Sequence, residues 1–204
     1  PESGCEWGCF DYNQQEPRLV VHYASLDQDA SVFNVKNAYN EGDADFHTIV
    51  AKMADIPRLQ AKTINLGLFY GMGKAKLQAE LGVSKEKAEE LFSIYHARVP
   101  FVKSLMKSVS NRAQHRGQIR TLLGRLCRFH LWEPNSFGMH KALPFKEAVQ
   151  EHGPGIRRAY TYKALNKLIQ GSAADMTKKC MLELYKEGII PHIQIHDELD
   201  ISVE

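Results

Sequence analysis

The sequence predicts an α+β fold, mostly helical, with one small antiparallel sheet. Three observations predict it. Apolar residues recur at helical spacing through the middle of the chain, a short apolar run from Gly4 to Asp11 opens it, and Pro191 to Val203 reads as two apolar strands around a polar turn.

The elements follow in order. Gly4 to Asp11 carries Trp7, Cys9 and Phe10 and has the length of a strand that ends at an acid. Glu16-Pro17 fits a first helical turn, where proline lacks no needed donor, and Leu19, Val20, Tyr23 and Leu26 continue at helical spacing. A polar stretch with Asn40, Gly42 and Asp43 leads to a helix near Phe46 to Met53. Asp55, just ahead of Pro57, marks a fresh helix start, and the apolar pattern then runs to Tyr70 before Gly71 and Gly73 stop it. Ser84 with Glu86 and Lys87 begins another helix, and Pro100 opens one that reaches about His115. The run from Gln118 to Phe129 alternates around Gly124 as a hairpin does. Residues 129–158 hold three of the eight prolines and read as an irregular connection. A helix from about Ala159 to Tyr185 follows, and Gly188 separates it from the final hairpin. There is no internal repeat.

At 204 residues the chain can bury a core of one or two domains. No run of about 18 apolar residues crosses a bilayer and the N-terminus has no apolar signal segment, which predicts a soluble, cytoplasmic protein with no membrane partner. The first residue is not Met, and the chain reads as a piece of a longer polypeptide. Four cysteines, Cys5, Cys9, Cys127 and Cys180, are too scattered for a disulfide scaffold, and none has a finger-like zinc spacing. Net charge is only +2, but residues 1–55 carry −7 and the remainder +9. Between Arg98 and Arg128 stand eight Lys or Arg and no acid. Such a stretch suits a phosphate backbone and suits a solvated helix face equally well.

Two constellations carry chemistry. His196-Asp197-Glu198 sits where the apolar runs of the final hairpin meet, and if its strands are buried, carboxylates there need a cation or hydrogen bonds. Asp11, at the end of its own strand, is the natural partner, and hard oxygen donors favour magnesium. From the acids alone, a metal-dependent hydrolase fits as well as any other reading. The second constellation is RLQAKTINLGLFYG, which sets Arg58, Lys62, Leu66 and Tyr70 at intervals of four. On a helix these form a slanting stripe roughly 18 Å long, matched to an extended nucleotide, with cations for phosphates at one end and a ring for a base at the other.

The pattern R-x-x-x-K-x-x-x-[aromatic or Leu]-x-x-x-Y-G resembles the fingers-helix motif of family A DNA polymerases, of the DNA polymerase I-like, phage type. Three further blocks fall in family order. FDYNQQEPRL resembles the first palm motif and IQIHDEL the third, while RGQIRTLLGRLCR and NKLIQGSAADM resemble the segments between them. The resemblance implies a right-hand polymerase fold: palm at residues 1–35 and 159–204, fingers at 36–128 with the nucleotide-binding helix at 56–71, and the 129–158 connection between. It also implies template-directed attack of a primer 3′-hydroxyl on a deoxynucleoside triphosphate. Two Mg²⁺ ions would be held by Asp11, Asp197 and the Tyr12 carbonyl, with Glu198 a supporting acid and Lys62 the proton donor to pyrophosphate. Arg58 and His47 would clamp phosphates, Glu16 would lie beneath the sugar, and Gln14, Leu66 and Tyr70 would complete the nucleotide site. Arg18, Gly71, Arg116, Arg125, Asn166, Gln170, Gln194 and His196 would meet primer–template DNA. Thumb and exonuclease regions would lie elsewhere in the full polypeptide.

The sequence departs from the family pattern at Leu66, where a ring is more usual, at Asn13-Gln14-Gln15, at Tyr162, and at Asp200 in a strand that is usually apolar. The alternative readings are a primer–template-binding fragment without catalysis and, among enzymes, a single-subunit RNA polymerase, against which the carboxylate of Glu16 argues.

Overall fold

The structure is a computed structural model that describes every residue except Asp43, Tyr70, Gly71, Phe137, Met139 and Glu204. Strand β1 (Glu6–Asp11) leads into α1 (Gln15–Leu26), and a 3-10 turn at Ala30–Val32 joins this to α2 (Phe33–Glu41) and α3 (Phe46–Ala54). Four helices follow, α4 (Arg58–Phe69), α5 (Lys74–Leu81), α6 (Lys85–Arg98) and α7 (Pro100–Arg116). Hairpin β2 (Gln118–Arg120) and β3 (Leu126–Arg128) comes next, then β4 (Leu131–Pro134), β5 (Leu143–Pro144), α8 (Phe145–His152) and β6 (Ile156–Arg158). The chain ends with α9 (Ala164–Lys186) and the hairpin β7 (Ile193–Ile195) and β8 (Glu198–Val203).

Local chemistry sets these boundaries. Pro17 stands in the first turn of α1, and Gln14 precedes it in a left-handed conformation at φ 56°. The Ser84 hydroxyl accepts from the Lys87 amide and caps α6, while Pro100 opens α7 where its missing N–H is not needed. Gly117 closes α7 at φ 67°, and a Cβ there would come within 2.7 Å of the Arg158 guanidinium. Glycine answers both demands.

Three expectations are corrected. Asp55 does not start α4; at φ 54° it is the left-handed cap that ends α3, and the Pro57 carbonyl accepts the first α4 bond, from Ala61. The 129–158 stretch is not irregular, since β4 pairs with both β5 and β6 to form a three-stranded sheet against which α8 packs. Helices α2 and α5 were not foreseen; Gly73 is the cap that opens α5 as well as the break after α4.

The core joins α1, α3, α4, α6, α7 and α9, centred on Val20, Phe46, Ile64, Phe69, Tyr95, Phe101 and Ile169. Hairpin β2–β3 is fastened to α9 by polar contacts. Ser172 takes hydrogen bonds from Leu122 N at 3.0 Å and shares one with Tyr23 of α1 at 2.8 Å, and Gly171 admits Thr121 where a Cβ would be only 2.8 Å from it.

The third sheet orders its strands β1-β8-β7, all antiparallel. Its strands were expected to be buried around the acidic turn, and they are not. Trp7 is 44% exposed, Phe10 56%, Ile193 43% and Ile195 53%, with only Leu199 and Asp200 buried on β8. The helices pack on one another rather than on this sheet, which contributes no residue to the central core.

Candidate active site

The register of the exposed sheet brings the acids together. Asp11 pairs with Glu198 across β1 and β8, Cys9 pairs with Asp200, and the Tyr12 amide donates to the Asp197 carbonyl at 3.4 Å. Paired residues of an antiparallel ladder point to one face, so Cys9, Asp11, Glu198 and Asp200 share a face. His196, at φ 54°, makes the tight turn that carries Asp197 out at the sheet end. The crowding has an electrostatic cost. The Glu198 carboxyl is raised above the ordinary range by desolvation, by Asp200 and Asp11, by a hydrogen bond with Asp200, and by Asp197. Cys9, Glu198 and Asp200 offer ligand atoms within 4.8 Å of one another, and the buried Oδ1 of Asp200 has no partner among the described residues. Strand burial therefore gives no ground for a cation here, but carboxylate repulsion does: two carboxylates, one with an orphaned oxygen, stand beside the Cys9 thiol, and their oxygens suit a hard divalent ion.

Beside this edge lies a cleft of about 610 Å³. Gln14 and Glu16 at the start of α1, His47 of α3, Leu66 of α4, Gln170 of α9, and Gln194, His196 and Asp197 of the final hairpin all line it. Eight residues foreseen from sequence thus meet on one cavity. Gln15, Pro17, Ala173 and Ala174, which were not foreseen, complete its lining.

The α4 stripe is exposed as its spacing implies. Arg58 and Lys62 face solvent and Leu66 is half-buried, while Ala61, Ile64, Asn65, Leu68 and Phe69 turn inward. Tyr70 and Gly71, expected at the far end of the stripe, lie outside the described residues. Arg58 is tied back to α3, its Nε donating to Asp45 at 2.6 Å and to Thr48 at 3.2 Å. Burial pushes the Asp45 carboxyl up, but hydrogen bonds from Thr48, Arg58 and the His47 amide outweigh it and hold the carboxyl at about 2.

His47 is buried on its inner side. Its Nδ1 lies 3.0 Å from Asn65 Nδ2, and Tyr95 donates to Asn65 Oδ1 at 2.6 Å. Desolvation lowers the imidazole pKa, Asp45 opposes this, and Arg58 and Lys62 lower it further. Sequence reading missed Asn65 and Tyr95. The available signal was an amide on the apolar face of α4, among Ala61, Ile64 and Leu68.

The other foreseen residues among those described fall outside the cleft lining. Gln14 does line the cleft, but its amide is used structurally: Nε2 donates to Ala44 O at 2.9 Å, and Oε1 accepts from Tyr39 and from the Phe46 amide. Arg18 stacks 4.6 Å from the Tyr39 ring centre and donates to Asn13 O. Arg125 pairs with Asp175 at 2.8 Å and donates to Gly171 O, which fastens the β2–β3 hairpin to α9. Arg116 is exposed at the end of α7 and Asn166 half-buried near the start of α9, one turn from Gln170. Tyr12 sets its hydroxyl against Cys180 of α9, an interaction that with burial pushes the phenol up to about 12.

Comparison with known proteins identifies the family. A family model described as DNA polymerase family A matches residues 1–204. A DNA-directed DNA polymerase of Pseudomonas phage M6 is 34% identical, covering all of this chain and 34% of its own length. The thermostable DNA polymerase I of Thermus aquaticus is 30% identical over 97% of this chain and 22% of its own. Among solved structures, the POL domain of Pol1 from M. smegmatis, in complex with DNA primer-template and dNTP, superposes with a TM-score of 0.73 at 28% identity, covering all of this chain and 34% of that one. The chain spans about a third or less of the length of these relatives. With its whole length matched by the family model, this chain belongs to DNA polymerase family A.

Proposed function

We propose that this chain carries the nucleotidyl-transfer site of a template-directed DNA polymerase, in which a primer 3′-hydroxyl attacks the α-phosphate of a deoxynucleoside triphosphate and pyrophosphate leaves. The observation that carries the reading is the pairing of β1 with β8, which sets Asp11 opposite Glu198, the residue after Asp197, while Asp197 lines a cleft shared with His47 and Leu66. Asp11, Asp197 and the Tyr12 carbonyl would hold two Mg²⁺ ions. Bound there, the ions would lower the primer hydroxyl pKa and neutralise charge gathering on the phosphates.

The remaining work falls to side chains. Lys62 and Arg58 supply positive charge along the exposed face of α4 for the triphosphate, and Lys62 gives a proton to the departing pyrophosphate. Tyr70 and Gly71, which lie outside the described residues, would serve the template end as the family resemblance implies. Glu16 packs its carboxylate under C2′ of the sugar, where a ribose hydroxyl finds neither room nor a donor's welcome, so deoxy substrates are preferred. Gln170, Gln194 and His196 on the cleft wall, with Arg18, Arg116, Arg125 and Asn166 around it, meet primer–template. Palm (residues 1–35 and 159–204) and fingers (36–128) are the corresponding divisions. The phage and bacterial sources of the relatives, together with the absence of any described helix long and apolar enough to cross a membrane, favour action in the bacterial cytoplasm.

The test is Mg²⁺-dependent primer extension. Parent protein is expected to extend and Asp197→Ala to lose extension; a variant that still extends at the parental rate overturns the assignment. The exposed faces of the β1-β8-β7 sheet favour a second reading for the isolated chain, namely binding without extension until the thumb and remaining regions of the polypeptide cover that sheet. Salt-sensitive duplex binding without extension by the chain alone, and extension by the full polypeptide, is its signature.

A further inference from the structure

We infer that Asn65 and Tyr95 are positioning residues that lock His47 in a single tautomer, with its proton on Nε2, so that the imidazole offers a neutral N–H donor to the cleft. The inference rests on the preceding reading only where it names the acceptor, a phosphate oxygen of a nucleoside triphosphate. The tautomer itself follows from two distances and from burial.

Asn65 is wholly buried, so its amide can be satisfied only by what surrounds it. One end lies 2.6 Å from the Tyr95 hydroxyl and the other 3.0 Å from His47 Nδ1. A separation of 2.6 Å is ordinary for O–H···O but short for N–H···O, which falls between about 2.7 and 3.2 Å. The carbonyl oxygen of Asn65 therefore faces Tyr95, and its NH₂ faces His47. An NH₂ group cannot accept, so Nδ1 must, and a neutral imidazole that accepts at Nδ1 carries its hydrogen at Nε2. Tyr95 is also wholly buried, and burial raises its phenol pKa, which keeps the hydroxyl protonated as the donor that fixes the amide.

The three groups come from α6, α4 and α3 in turn. Nδ1 is turned toward a buried residue, yet His47 lines the cleft, so the opposite ring edge with Nε2 is the part that faces it. Among the described residues Nε2 has no hydrogen-bond partner. A neutral donor suits this position because Arg58 and Lys62 already bring positive charge, and these two cations help to hold the ring neutral. His47 then contributes direction, not charge, to phosphate binding.

The experiment is ¹⁵N–¹H long-range correlation NMR of the imidazole nitrogens, with His47 assigned by the signals lost in His47→Gln. The parent is expected to show Nε2 protonated and Nδ1 bare, and a protonated Nδ1 in the parent overturns the inference whether or not any variant folds. In Asn65→Asp the carboxylate should draw the proton to Nδ1, and in Tyr95→Phe the freed amide should give a mixture; a tautomer unmoved by both overturns the positioning role. In parallel, dNTP affinity is read in a complex with a dideoxy-terminated primer. Tyr95→Phe should weaken it by the inverse of the fraction of rings that keep the proton on Nε2, about twofold for an even mixture. Tautomers that shift as expected with unchanged affinity overturn the phosphate acceptor while leaving the relay intact, which separates failure of the tautomer from failure of the functional reading.

Discussion

Asp45 does two jobs with one side chain, accepting at the N-terminus of α3 from the His47 amide and Thr48 and holding Arg58 of α4. Its carboxyl titrates at about 2 in place of an ordinary 3.8. A depressed carboxyl contributes stability that is complete above the unfolded value and is lost as pH falls through the folded one. Asp45→Asn is therefore expected to cost about 1–2 kcal/mol at pH 7, reduced for the exposure of Arg58, and the difference from the parent should shrink as pH falls from about 4 toward 2. Urea melts across that range check it. At Glu16 the expectation is functional. Glu16→Ala should raise ribonucleotide incorporation relative to deoxynucleotide by tenfold or more in primer extension, and unchanged sugar discrimination removes the carboxylate from the sugar site.

Among elements, the β2–β3 hairpin depends on α9. Asp175, buried on α9, takes hydrogen bonds from Thr121 and from Arg125, and these partners hold its carboxyl below the ordinary range against the desolvation that would raise it. Asp175→Ala is expected to destabilise the protein by about 1–3 kcal/mol, since it removes the partner of Arg125 and leaves the buried Thr121 hydroxyl only its longer bond to the Arg125 carbonyl at 3.3 Å. Amide exchange should quicken first at Gln118 to Arg128, and uniform loss of protection would contradict this account. The elements legible in sequence were those with strong punctuation: Pro17 and Pro100 at helix starts, Ser84 as a cap, Gly124 in a hairpin. Those missed lacked it. Helix α2 has no capping side chain, three asparagines, and Val35 as its one buried residue. Strands β4, β5 and β6 are two to four residues long, too short to alternate visibly, and Pro134 and Pro144 read as breaks although they sit at strand ends. Asp55 was misplaced because an aspartate before a helix and one in a left-handed cap look the same in sequence.

On the scale of the whole molecule, helices form the core and the acidic sheet stands beside it, so the candidate site sits where two differently built parts meet. The pairing of Asp11 with the distant Asp197-Glu198 turn was legible because both acids end short apolar runs. The exposure of those runs was not, because an apolar alternating strand looks the same whether its cover lies in this chain or outside it. Nor could spacing reveal that Gln14 would be used up between Tyr39, Ala44 and Phe46, since those contacts depend on how α2 and α3 fold back over α1. The most direct measurement is the affinity for Mn²⁺, taken as a probe of the Mg²⁺ site by its paramagnetic signal, in the parent, Asp11→Asn and Asp197→Asn proteins. If the two carboxylates hold a common ion, either substitution alone weakens binding about tenfold or more. Parental affinity in either variant would mean that the two acids do not share a cation.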